Sequence, residues 1–98
     1  MSQDEQPRKA MQVRVEGRVQ GVWFRGWVVQ EAVRRGLQGW VRNRSDGSVE
    51  ALFAGPPLTV DEMVELCRQG PPAARVLRLT AVAGADPGRS GFHALATL

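Results

Sequence analysis

The chain has one cysteine, one histidine, one lysine and no tyrosine among its 98 residues. A single thiol, Cys67, cannot close an internal disulfide, so a reducing, cytoplasmic location is expected. His93 has no second ligand near it in the chain, so no metal site is expected. Long apolar runs are missing as well: none approaches the ~20 residues of a membrane-spanning helix. No apolar stretch follows the charges at the N-terminus, which speaks against a secretory leader. What remains is a chain with 43% hydrophobic and 23% charged residues, enough for one small domain with a single core.

Positive charge is present, but almost all of it is arginine. Thirteen basic residues against ten acidic ones give +3, and Lys9 is the only lysine; the sequence pI is about 10.4. Two partners fit such a balance, a nucleic acid or a smaller anion. An arginine bias can also reflect nothing more than the base content of a genome. Position has to decide between these.

The apolar period supplies the positions. Residues 1–10 are polar and aperiodic and read as a disordered tail, leaving 11–98 as the domain. Met11 to Glu16 alternates like a half-covered strand, and Gly17 to Val22 follows as a loop with two glycines. From Trp23 or Phe24 to Arg35 the period becomes helical, with Val28, Val29, Ala32 and Val33 on one side and Gly36 as a left-handed stop. Leu37–Asn43 and Ser48–Ala54 read as a hairpin turned at Asp46-Gly47. Thr59 and Glu62 suggest a capping box at the start of a second helix, whose inner stripe is Val60, Met63, Val64 and Cys67. Arg75–Ala83 alternates again, and Phe92–Leu98 reads as a short last strand.

The order β-α-β-β-α-β plus a C-terminal strand is the α+β, ferredoxin-like split β-α-β sandwich, with two helices on one face of a mainly antiparallel sheet. Right-handed crossovers make the first two strands parallel, which places Gly17 and Asn43 at the same edge of the sheet. That fold hosts many functions, so chemistry must come from the segments themselves.

Two segments carry it. In Gly17-Arg-Val-Gln-Gly-Val-Trp-Phe-Arg25 a glycine-containing loop runs from a strand into a helix N-terminus. Such a loop turns successive backbone N–H groups inward, and the helix end adds unpaired donors and a positive dipole. Arg25 falls in the first turn, where a cation opposes that dipole at a typical cost of ~0.3–1 kcal/mol. An anion held between them would resolve the conflict. An ordinary strand-to-helix turn with an exposed arginine is an equal reading of the same residues. The second segment is Gly39-Trp-Val-Arg-Asn-Arg-Ser-Asp-Gly-Ser-Val-Glu50. Its Asn43 has a donor and an acceptor with which to hold a water, or to satisfy a local turn.

Taken together, these segments closely resemble the two signatures of the acylphosphatase family, roughly G-x-V-Q-G-V-x-[FY]-R and G-x-V-x-N-x-x-D-G-x-V-E. The resemblance runs from about Met11 to the end and is densest between Gly17 and Glu50. It implies hydrolysis of the carboxyl–phosphate bond of acyl phosphates, giving a carboxylate and orthophosphate. The phosphate-binding arginine of the family falls on Arg25 and its water-positioning asparagine on Asn43. The phosphate cradle corresponds to Gly17, Val19, Gln20, Gly21 and Val22. The resemblance implies a monomer that needs no cofactor and no metal, with neither nucleic acid nor membrane as partner.

The residue inventory agrees. Phosphoryl transfer needs positioning and charge neutralisation more than covalent help. A carboxylate leaving group is stable above about pH 4 and needs no general acid. An alternative is a non-catalytic module of the same family that binds phosphate or a phosphorylated partner. An RNA-binding sheet fits less well, because the first strand has no aromatic residue and the third only Phe53. Cys67 on an apolar stripe reads as inert. Trp23 reads as a packing residue or as part of a substrate pocket. Arg42 and Arg44, beside Asn43, read as turn arginines or as a local positive field.

Overall fold

Val13 and Val15 are buried while Arg14 between them is exposed, the alternation of a strand with one covered face. In the computed structural model, which describes residues 7–98, this strand is β1, Lys9–Arg18. It leads to helix α1 (Phe24–Arg34), the hairpin β2 (Gln38–Asn43) and β3 (Val49–Gly55), and helix α2 (Pro57–Cys67). The chain then forms β4 (Arg75–Ala83) and the short β5 (Phe92–Ala94).

The five strands form one sheet in the order β4-β1-β3-β2-β5. β1 is antiparallel to β3 and β4, β2 is antiparallel to β3, and only the edge pair β2–β5 is parallel. Both helices pack against this sheet and touch each other, which is the expected ferredoxin-like sandwich. Between helices and sheet lies one core. Val13, Val15, Val41, Val49 and Phe53 come from the strands, and Phe24, Val28, Ala32, Val60, Met63 and Cys67 from the helices. Phe53 is fully buried there, so its ring offers no surface for stacking a base. Arg35 ties the helices together, with Nη1 2.6 Å from Glu31 and Nε 2.8 Å from Glu62.

β1 and β2 are not paired with each other; β3 lies between them. Val15 and Asn43 both pair with Val49, so the three residues form one rung across the sheet. The ends of β1 and β2 therefore emerge side by side, as the crossover rule predicts.

Four boundaries differ from the sequence expectation by two residues or more, and the others by one at most. β1 starts at Lys9 rather than Met11, because backbone pairing of Lys9 with Gly55 and Ala10 with Ala54 needs no apolar side chains. Lys9 also reaches Asp61 at 2.6 Å. The remainder of the expected tail, residues 1–6, lies outside the described residues. β1 also runs past Gly17 to Arg18, through an irregularity between Glu16 and Gly17, so the loop is shorter than expected. The expected capping box is absent: α2 begins at Pro57 after Pro56 and has no side-chain cap. Proline at the first helical position has no N–H to lose and a φ already suited to the helix, so the helix starts earlier and Thr59 falls inside its first turn. Finally, β5 ends at Ala94 instead of Leu98, although Leu95 and Leu98 still donate backbone N–H bonds to Val41 and Asn43.

Candidate active site

Residues 19–23 connect β1 to α1. Val19 is buried in the core and fixes the start of the loop, and Gly21 follows with a φ of 73°, open to a glycine at little cost. Trp23, at the N-cap of α1, also takes a left-handed conformation (φ 67°, ψ 24°). For a residue with a Cβ this costs on the order of 1 kcal/mol. Its side chain provides no cap hydrogen bond, and the first turn of α1 contains no acidic residue. The N–H groups of Phe24, Arg25 and Gly26 therefore meet neither an intrahelical acceptor nor a capping oxygen.

These elements enclose a cavity of about 200 Å³ lined by Val19, Gln20, Gly21, Trp23, Phe24, Arg25, Gly26 and Asn43. Arg25 comes from the first turn of α1 and Asn43 from the last position of β2. Among the described residues Arg25 makes no ion pair. The Asn43 carbonyl accepts a backbone bond from Leu98 at 3.0 Å, and Leu98 in turn accepts from Ser45 at 2.8 Å, so the C-terminal residue braces the end of β2.

Of the residues singled out in the sequence, Val19, Gln20, Gly21, Arg25 and Asn43 meet around this cavity, whereas Gly17 and Val22 do not line it. Gly17 lies within β1, where a Cβ would run into the Arg75 carbonyl and stand 2.8 Å from the Leu77 nitrogen. Its missing side chain lets β1 and β4 approach. Val22 packs toward the core instead of the cavity.

Gln20 has a part that the sequence did not reveal. Its Nε2 donates to the carbonyls of Arg44 and Ser48, each at 2.8 Å, and ties the loop to the β2–β3 turn just beyond Asn43. That turn is itself held by Asp46, whose carboxylate accepts from the Ser48 N–H at 2.9 Å and the Ser48 hydroxyl at 2.6 Å. These bonds, with Arg14 and Arg44 nearby, hold the Asp46 carboxyl below its ordinary value. Trp23, read from the sequence as packing or as part of a substrate pocket, lines the cavity, and Phe24 and Gly26, which were not singled out, line it too.

Arg42 and Arg44 do not serve the cavity as a free positive field. Both reach Glu50 Oε1 at 3.0 Å, and Gln12 donates to Glu50 Oε2 at 2.8 Å. Burial pushes the Glu50 carboxyl up, but hydrogen bonds from Arg42, Gln12 and Arg44 outweigh it and hold the pKa below its ordinary value. Cys67 is nearly inaccessible, and burial pushes its thiol up to about 12. Such a thiol is protonated at neutral pH and inert as a nucleophile.

Known proteins match this chain over most of its length. The family model for acylphosphatase covers residues 11–94. The chain belongs to the acylphosphatase family. An acylphosphatase of Rhodospirillum rubrum is 59% identical over 85 residues, spanning 84% of this chain and 93% of that protein. One from Bradyrhizobium diazoefficiens is 60% identical over 80 residues, covering 81% of each. The solved structure of an acylphosphatase from Coxiella burnetii superposes with a TM-score of 0.90 at 34% identity, over 97% of this chain and all of that one. Among the described residues, no helix is long and apolar enough to cross a membrane.

Proposed function

We propose that this chain hydrolyses acyl phosphates with Arg25 holding the phosphoryl group and Asn43 holding the attacking water. Hydrolysis of acyl phosphates is the activity of the family to which it belongs. The assignment of roles rests on one observation: an arginine with no ion-pair partner among the described residues shares a small cavity with an uncapped helix N-terminus, and Asn43 lines the same cavity from the end of β2. Loop and helix N–H groups, with Gly21 turning the backbone, cradle the phosphoryl oxygens. The planar fork of Arg25 neutralises two of them.

Asn43 orients a water in line with the bond to be broken. The water oxygen attacks phosphorus, the bond between phosphorus and the carboxyl oxygen breaks, and the carboxylate leaves with the electron pair. A proton of the water passes to a phosphoryl oxygen, so the products are a carboxylate and orthophosphate. Neither arginine nor the carboxamide is a base at neutral pH, and the leaving group needs no acid. Positioning and charge neutralisation are the whole contribution of the protein. No metal or cofactor has a task in this scheme. We read the working form as a monomer in the cytoplasm, a location supported by its single buried thiol, with a small acyl phosphate rather than a nucleic acid as partner.

The test is release of orthophosphate from acetyl phosphate with and without EDTA. Turnover is expected to be the same in both. Asn43→Ala should lower kcat on the order of 10²-fold or more, as removal of a positioned polar donor does. Arg25→Gln should abolish most inhibition by inorganic phosphate. An active Arg25→Gln/Asn43→Ala double variant contradicts the assigned roles.

A further inference from the structure

We propose that the Trp23 indole is the shelf on which the acyl group of the substrate lies, so that this enzyme favours flat, aromatic acyl phosphates over acetyl phosphate. The proposal rests on the reading above, with the phosphoryl group at Arg25, and adds what recognises the other end of the substrate. Every acyl phosphate presents the same phosphoryl group, so discrimination must come from residues beside the cradle.

Three features of Trp23 converge on this role. It is 60% exposed, although it is the bulkiest apolar side chain on the loop. It lines the same cavity as Arg25 and Asn43. Its backbone is held in the left-handed region at φ 67°, a strained conformation for a residue with a Cβ. Gly26 completes the arrangement. A Cβ at Gly26 would run into Nε1 and Cδ1 of the indole, so the ring lies directly over this glycine. A left-handed tryptophan and a glycine in the first turn are each locally unfavourable, and together they seat one ring at the rim of the cavity instead of in the core. A flat apolar face at that place stacks against an aromatic acyl group and gains little from a methyl group.

The decisive measurement is the ratio of kcat/KM for benzoyl phosphate to that for acetyl phosphate. Trp23→Gly removes the ring while glycine accepts the positive φ, so the loop keeps its course. The ratio is expected to fall about tenfold in this variant, chiefly through KM for benzoyl phosphate. Gly26→Ala, which keeps the ring but displaces it, should lower the ratio in the same direction. A parallel loss on both substrates, with the ratio unchanged in both variants, would mean that Trp23 only packs, and would overturn the proposal. Calorimetric titration with benzoylphosphonate and acetylphosphonate, which are not hydrolysed, reads the shelf without turnover. The wild type should bind the benzoyl compound more tightly and Trp23→Gly should bind the two alike. Equal affinities in the wild type overturn the shelf, whereas absence of turnover on either substrate would count against the hydrolytic reading alone.

Discussion

Replacing Gln20 by alanine tests how the loop is held beside Asn43. The substitution removes two hydrogen bonds of 2.8 Å, to the carbonyls of Arg44 and Ser48. Each is worth about 1 kcal/mol net, so about 2 kcal/mol is lost. The two carbonyls are not left bare, because Arg44 still accepts from the Gly47 N–H at 3.0 Å and Ser48 from the Arg44 N–H at 2.9 Å. The full penalty of an unsatisfied buried acceptor therefore does not add to the sum. For a domain of this size, a loss of that magnitude lowers Tm by roughly 8–16 °C. Urea unfolding should show a lower midpoint at an unchanged slope. Activity should suffer as well: a loop released from the β2–β3 turn misplaces the cradle relative to Asn43, and kcat/KM for acetyl phosphate should fall roughly 10- to 100-fold. Gln20→Glu sharpens the test, since a carboxylate has no donor to offer two carbonyls and should be worse than alanine at pH 7. If Gln20→Ala unfolds within about 0.5 kcal/mol of the wild type and keeps its activity, the loop is not held by this side chain.

Two further outcomes follow from the titrating groups. The folded-state pKa of Glu50 lies below its ordinary value of 4.5, so its contribution to stability is complete above that value and is lost as pH falls through the lower, folded one. Stability measured by urea unfolding between pH 5 and pH 2 (a range of about 3 units chosen to bracket carboxylate titration) should decline less steeply in Glu50→Gln than in the wild type. Identical slopes would show that the Arg42–Arg44–Gln12 cluster does not favour the charged form. Cys67, with its thiol pushed up to about 12, should resist a thiol reagent at about pH 8, close to the ordinary thiol value of about 8.5, in the native protein and react at once in concentrated urea. Rapid reaction of the native protein would place the thiol outside the core.

Periodicity made most of the fold legible. The stripe Val60–Met63–Val64–Cys67 is buried as its spacing requires, and β4 occupies Arg75–Ala83 with the bounds its alternation suggests. Where the sequence misled, backbone chemistry had overridden side-chain pattern. Ladder hydrogen bonds extend β1 through Lys9 and Ala10 without apolar residues, and Pro57 starts α2 ahead of the Thr59–Glu62 pair. At the site, Arg25 and Asn43 were recognisable from their motifs, and the parallel course of β1 and β2 brought them to the same end of the sheet. Gly17 pairs within β1 and does not line the cavity, a distinction hidden in the sequence because φ freedom and close strand approach leave the same letter. The anchoring of Gln20 joins residues 24 and 28 positions apart, a separation at which no local pattern announces a contact.

The rung Val15–Val49–Asn43 gives the protein a built-in ruler. Strands in a sheet stand ~4.8 Å apart, so the two strand ends that feed the cavity are separated by two such steps, roughly 9.6 Å. Backbone hydrogen bonds set that span, and no side-chain substitution can stretch it by a fraction of a step. Changes in the loop or at the rim can alter what the cavity prefers, but the gauge between its two halves is inherited from the sheet. As long as β3 stays between these two ends, the cavity keeps a fixed aperture while everything that surrounds it remains free to vary.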